Sequence, residues 1–228
     1  MGRASFLLLA VCAAWLWVLL GAPAPETLPA AAGVPEGRWI LIEIDLKRLT
    51  VYEGTAPVKR YPVATGARDT PSPIGVFYIN GRFQTEMSGF GTRFLSLSVP
   101  WGKYGMHGTN RPESIGSNAS HGCIRLRTAD AEALYGLVYD GTRVVIEGGP
   151  YGPLGDSLRT LRPGDRSSAV QLVQRRLAQQ GFYNGSADGV YGAATSRAVT
   201  AARRAFGLSS ADVVDGALYA RLGISLFE

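Results

Sequence analysis

A mainly β domain followed by a small three-helix α domain is the fold this sequence predicts, on three observations. Residues 38–147 carry short apolar and β-branched runs separated by Gly and Asp turn material. Residues 148–156 hold four glycines and two prolines in nine positions. Beyond them, apolar residues recur at helical spacing. With 228 residues, 46% of them hydrophobic, the chain can bury one sizeable core or two smaller ones, which excludes a disordered or collagen-like protein.

Residues 1–32 are expected to be a signal peptide or membrane anchor and tether. Met1-Gly2-Arg3 and the apolar run Phe6 to Leu20 have the basic start and apolar middle of an export signal. Small residues at Ala22, Ala24, Ala30 and Ala32 offer cleavage points, and the run is nearly long enough to stay as an anchor. The protein is therefore expected in the periplasm or cell envelope, either free or attached to the inner membrane. Cys12 lies inside the apolar run behind Val11, where a lipidated cysteine wants a small residue. The Ala- and Pro-rich residues 22–37 read as an extended tether.

In Trp39 to Leu46 the residues Ile40, Ile42, Ile44 and Leu46 fall on one face of a strand. Leu49 to Tyr52, Val58 to Val63, Gly75 to Ile79, Phe94 to Val99 and Val144 to Glu147 continue the pattern as antiparallel strands. A helix is expected over Ala129 to Tyr139, with Thr128 as N-cap and Asp130 and Glu132 near its positive end. The linker, 148–158, has almost nothing able to pack. In 159–225, Val170, Val173 and Leu177 mark a helix over Ala169 to Gln180, stopped by Gly181; Ala193 to Ala205 and Ala217 to Leu222 follow. The intervening loop, with Phe182, Tyr183 and Tyr191, reads as carrying exposed aromatics.

The formal charge of +5 survives removal of the first thirty residues, because Arg3 and Glu26 leave together. That excess suits a carboxylate-rich partner; the arginines form no dense run and no nucleic-acid motif appears, so no nucleic-acid partner is expected.

The reactive side chains are concentrated in one stretch. The chain has two histidines, His107 and His121, and both fall close to Cys123, the one cysteine outside the N-terminal apolar run. A thiol is mostly protonated at neutral pH, so a nucleophilic cysteine needs a base or a nearby cation. His121, two positions away, shares a side with Cys123 in an extended segment; His107 reaches it if the chain folds back. From spacing alone both are candidate bases. Gly122 allows a sharp turn, and the amides of Gly122 and Cys123 could receive an oxyanion. Arg125 shares the Cys123 face, where it either grips a substrate carboxylate or forms a surface ion pair. Zinc is the rival use of two imidazoles and a thiolate, but no metallopeptidase spacing is present, and neither metal nor cofactor is expected.

These residues resemble the L,D-transpeptidase catalytic domain of the YkuD type. The resemblance rests on Gly105-Met106-His107-Gly108-Thr109, Ile115-Gly116, Ser120-His121-Gly122-Cys123-Ile124-Arg125-Leu126, Thr65-Gly66 and Pro73-Ile74-Gly75-Val76-Phe77, from about Trp39 to Glu147. Asp69 to Pro73 departs from the pattern, its Thr-Pro pair displaced or lengthened. The resemblance implies a β-sandwich with a short helix in which Cys123 attacks a peptidoglycan tetrapeptide stem, releases D-alanine and passes the acyl group to an amine. It implies His107 as general base, oriented by the carbonyl of Gly108, and His121 as a neighbouring partner. It further implies Ser120, Arg125, Tyr104 and Met106 around the substrate, and acylation by carbapenems. The same residues would serve an L,D-carboxypeptidase, and a non-catalytic wall-binding protein is the alternative of a different class. Leu161 to Leu222 resembles the three-helix peptidoglycan-binding domain, through Leu161-Arg162-Pro163-Gly164-Asp165, Gly181-Phe182-Tyr183 and Asp188-Gly189-Val190-Tyr191-Gly192. Ala202-Arg203 stands where relatives carry Phe-Gln, an exchange expected to loosen that core or alter its binding face.

Overall fold

The computed structural model describes residues 37–84, 89–148, 152–155 and 157–226. The expected export signal, anchor and tether, with Cys12, lie outside the described residues. No helix among the described residues is long and apolar enough to cross a membrane.

Among the described residues ten strands build the first part: β1 (Arg38–Glu43), β2 (Arg48–Glu53), β3 (Ala56–Pro62), β4 (Thr65–Gly66), β5 (Gly75–Gln84), β6 (Arg93–Leu97), β7 (Tyr104–Thr109), β8 (Asn118–Ser120), β9 (Ile124–Arg127) and β10 (Arg143–Glu147). Eight form one sheet in the order β3-β2-β1-β10-β5-β6-β7-β9, and β4 pairs with β8. β5 joins the two halves: Gly75 to Tyr78 pair with β10, and Ile79 to Gln84 pair with β6 across a bulge between Ile79 and Gly81. The inner faces of both halves supply one core, in which Ile40, Ile42, Val51 and Val144 meet Leu95, Met106, Ile124 and Leu126. The helix α1 (Thr128–Leu137) adds Ala131 and Leu134 to it.

Several expectations are corrected. The first strand ends at Glu43, because residues 44–47 form the hairpin turn, so Leu46 is 59% exposed instead of continuing the buried face. Not all pairs are antiparallel: β1 with β10 and β7 with β9 run parallel. Thr128 is the first residue of α1 and not its cap; Arg127 occupies the cap position without a side-chain cap bond.

The second part contains α2 (Ser168–Gln179), α3 (Ala193–Ala205) and α4 (Gly216–Arg221). Ser167 caps α2 by accepting from Val170 N. The linker does pack: Leu154 lies against the helical core. The loop aromatics are inward, not exposed. Tyr191 is 1% and Tyr183 9% exposed; Tyr191 donates its hydroxyl to Asp212 Oδ1 at 3.0 Å and Tyr183 to the Ser186 carbonyl at 2.8 Å. A core this small takes its bulk from loop tyrosines whose polar ends reach a partner at the rim. Nor does Ala202-Arg203 leave the core loose. Arg203, 2% exposed, donates to the Ser209 and Val213 carbonyls, to Ser209 Oγ and to Asp215 Oδ1, at 2.9 to 3.2 Å.

Both parts belong to the unit Pro35–Glu228. Ile74 N donates to Ser168 Oγ at 2.9 Å, and Val190 packs on the β-domain core. A Cβ on Gly189 would stand 2.4 Å from Trp101 Cε3, so the loop backbone lies directly on the indole.

Candidate active site

The parallel register of β7 and β9 assembles the site. His107 pairs with Arg125, and Phe94 of β6 pairs with His107, so the three side chains form one row on the face away from the core. Cys123, just before β9, points to the same side as Arg125 by strand alternation. It is half-buried and is the free cysteine of the described residues. Met106, next to His107 on β7, points the other way into the core.

His107 is 4% exposed and held between two phenylalanines, with the Phe90 ring centroid at 4.7 Å and that of Phe94 at 5.7 Å, the latter stacked with its plane nearly parallel at 12°. Its Nδ1 lies 2.5 Å from the Gly108 carbonyl oxygen. A carbonyl only accepts, so Nδ1 carries the proton and Nε2 keeps its lone pair. Burial lowers the His107 pKa from its ordinary 6.5, the Gly108 bond opposes this, and the Arg125 cation lowers it further. Burial pushes the Cys123 thiol above its ordinary 9.0, against the Gly105 backbone and Arg125, which favour the thiolate. Desolvation thus sets both shifts in the direction of the neutral forms.

The loop at Cys123 is built by Ser120 and Gly122. Ser120, 2% exposed, donates its hydroxyl to the Cys123 carbonyl at 2.5 Å and accepts from Gly122 N at 3.0 Å. Of the two amides expected to receive an oxyanion, that of Gly122 therefore already has a partner. Gly122 sits at φ +111°, and a Cβ there would come within 2.6 Å of Tyr104 Cε1. This turn also breaks the extended geometry that would align His121 with Cys123, and His121 is exposed. Ser120 and Met106 are too buried to line a substrate surface; they shape the loop and fill the core respectively. Tyr104 and Arg125 remain beside Cys123. Burial raises the Tyr104 pKa, a hydrogen bond from Trp101 opposes this, and Cys123 raises it further. Arg125 Nε is buried and has no hydrogen-bond partner among the described residues.

Two supports have a role that the motifs do not assign. One is the stretch from Ala64 to Thr70, which backs the loop through Ala64 and Arg125, bonded to each other in both directions at 2.9 Å, Ala67 N to the Ser120 carbonyl at 2.8 Å, and Thr70 Oγ1 to the same oxygen at 3.1 Å. The other is the aromatic pair Phe90 and Phe94; the alternation of Phe94 with Leu95 and Leu97 assigns it to the face away from the core, which is the only sequence signal for it. Among the described residues no group of three or more His, Cys, Asp or Glu is placed to hold a metal.

The YkuD L,D-transpeptidase catalytic domain model matches residues 37–146, and a peptidoglycan-binding domain model matches residues 166–222. Bacillus subtilis strain 168 has a relative bearing the name L,D-transpeptidase YkuD that is 40% identical over 129 residues, covering 57% of this chain and 73% of its own length. A Bacillus licheniformis relative of the same name is 38% identical, covering 57% and 72%. A solved catalytic domain of an Enterococcus faecium L,D-transpeptidase superposes with a TM-score of 0.43 at 23% identity, over 50% of this chain and 99% of that one. A sheet that sets His107 beside Arg125, a domain match spanning that sheet, and 40% identity over nearly three quarters of a relative lead to one conclusion: the chain belongs to the YkuD-type L,D-transpeptidase family.

Proposed function

We propose that the protein is a peptidoglycan cross-linking enzyme that works through a Cys123 thioester, with His107 as general base. The observation that carries this reading is the His107 Nδ1 bond to the Gly108 carbonyl, which leaves the Nε2 lone pair for a thiol proton on the face that Cys123 shares. Nε2 takes the proton as Sγ bonds to the carbonyl carbon of the third stem residue. The C–N bond to the terminal D-alanine then breaks, and its nitrogen leaves with the proton from His107. An acceptor amine attacks the thioester, gives its proton to His107, and forms the new amide as the C–S bond breaks and the thiol is restored. The Cys123 amide is the remaining backbone donor for the oxyanion, and Arg125, with its unpartnered Nε, is suited to a stem carboxylate. When bound, the C-terminal module holds the enzyme on the polymer. The apolar N-terminal run supports export to the periplasm or envelope, with the N-terminus as the attachment if it is retained.

Mass spectrometry of products from disaccharide-tetrapeptide tests the reading. Cross-linked dimer with loss of D-alanine is expected, and none from Cys123→Ala. Tripeptide monomer alone would make the enzyme a carboxypeptidase, and product from the alanine variant would remove Cys123 from the chemistry.

A further inference from the structure

Between the β domain and the helical module lies a cleft of 840 Å³. That is the size of a site for a small organic ligand or a short peptide. It is a built feature, because the module is fixed by the Ile74–Ser168 hydrogen bond on one side and by Gly189 on Trp101 on the other. Its β-domain wall includes Arg68 and Pro71, and its helical wall includes Arg159, Arg162 and Arg166, all three exposed.

The carboxylates in the same cleft are Asp45, Asp69 and Asp165. Asp165 Oδ2 already accepts from Arg162 N at 2.7 Å, within its own turn. Arg159, Arg162 and Arg166 therefore line the cleft as exposed residues beside Asp69 and Asp165, and a planar guanidinium is the side chain best matched to a carboxylate ligand. The cleft also adjoins the chemistry. Ala67, in its wall, donates to the Ser120 carbonyl at 2.8 Å, and Pro71 O stands 3.2 Å from where a Cβ of Gly122 would be.

We propose that this cleft is a second substrate site, which holds the carboxylate-bearing peptide of a peptidoglycan strand outside the bond that reacts at Cys123. The inference rests on the polymer substrate assigned above and adds where, and by which residues, the two domains share it. Neither domain alone makes the site. Arginines from the helical module hold the stem while the backbone beneath it continues to the nucleophile loop.

The test is calorimetric titration of disaccharide-tetrapeptide into the full chain carrying Cys123→Ala, compared with the same chain carrying in addition Arg159→Glu, Arg162→Glu and Arg166→Glu. The Kd is expected to rise roughly ten-fold, as summed loss of partly exposed ion pairs implies. The difference should shrink as salt is raised. A triple glutamine variant at the same positions, which adds no repulsion beside Asp165, should show a smaller rise in the same direction, with thermal melting to verify folding. Equal Kd values in all three proteins would overturn the proposal. With Cys123 intact, the glutamate variant should be acylated by a carbapenem at the unsubstituted rate; a parallel fall would assign the arginines to the nucleophile and also overturn it. The titration does not depend on turnover, so failure of the catalytic reading would show separately, as an unsubstituted chain that no carbapenem acylates.

Discussion

At the scale of the residue, burial decides the state of the reactive pair. It lowers the His107 pKa from 6.5 and raises that of Cys123 from 9.0, so at neutral pH the imidazole is neutral and the thiol protonated. With His107 as the proposed base, which works only unprotonated, the acid limb of carbapenem acylation should lie below pH 6.5, with a flat rate through neutrality. A limb centred above that value would contradict a buried neutral base. Gly122 makes a second prediction: Gly122→Ala places a Cβ 2.6 Å from Tyr104 Cε1 at a φ of +111°. Ring and loop must shift, and acylation should slow roughly 10- to 100-fold while circular dichroism is unchanged. These candidates stood out in the sequence because cysteine and histidine are scarce in the chain. The fate of the Gly122 amide was not, because Ser120 Oγ reaches it only through the folded shape of the turn.

At the scale of the element, Arg203 on α3 ties together a loop and the start of α4. Its Nη1 donates to Asp215 Oδ1 at 2.9 Å, and that oxygen also caps α4 by accepting from Leu218 N at 3.0 Å. Arg203→Ala leaves two carbonyls and a cap carboxylate without this partner and opens space in the core. Urea unfolding should show a loss of about 3 kcal/mol, the order expected when a large buried side chain is truncated and its hydrogen-bond partners are left unpaired. Arg203 holds the Asp215 carboxyl below its ordinary 3.8, so the contribution is present above pH 3.8 and is lost as the pH falls through the folded-state value. A chain with Asp215→Asn should therefore lose less stability in acid. The helices themselves were legible from their 3.6-residue period. The inward tyrosines of the loop between α2 and α3 were not, because no periodicity marks a loop side chain as core.

At the scale of the whole molecule, the docked module is the feature with most consequence. Gly189, at φ +71°, lets backbone rest on Trp101, which is 5% exposed and lies edge-on to Phe77 at 5.8 Å. Gly189→Val cannot fit without separating the two surfaces or straining the loop. It should cost about 1 to 3 kcal/mol, as overpacking does, and increase acrylamide quenching of Trp101 fluorescence. Unchanged quenching would mean that the contact relaxes locally and the domains stay in place.

By itself, the sequence determined the β-then-α order, most strand and helix positions, and the candidate reactive residues, because strand and helix periods and residue scarcity are properties of neighbouring positions. Tertiary structure alone decided which side chains share the site. The parallel register of β7 with β9 sets His107 beside Arg125, the sheet turns Met106 into the core, and the stretch after Val63 backs the Cys123 loop. It alone also decided that the module closes on Trp101. These are contacts between segments distant along the chain, and their geometry depends on strand register and packed volume, which no local pattern encodes.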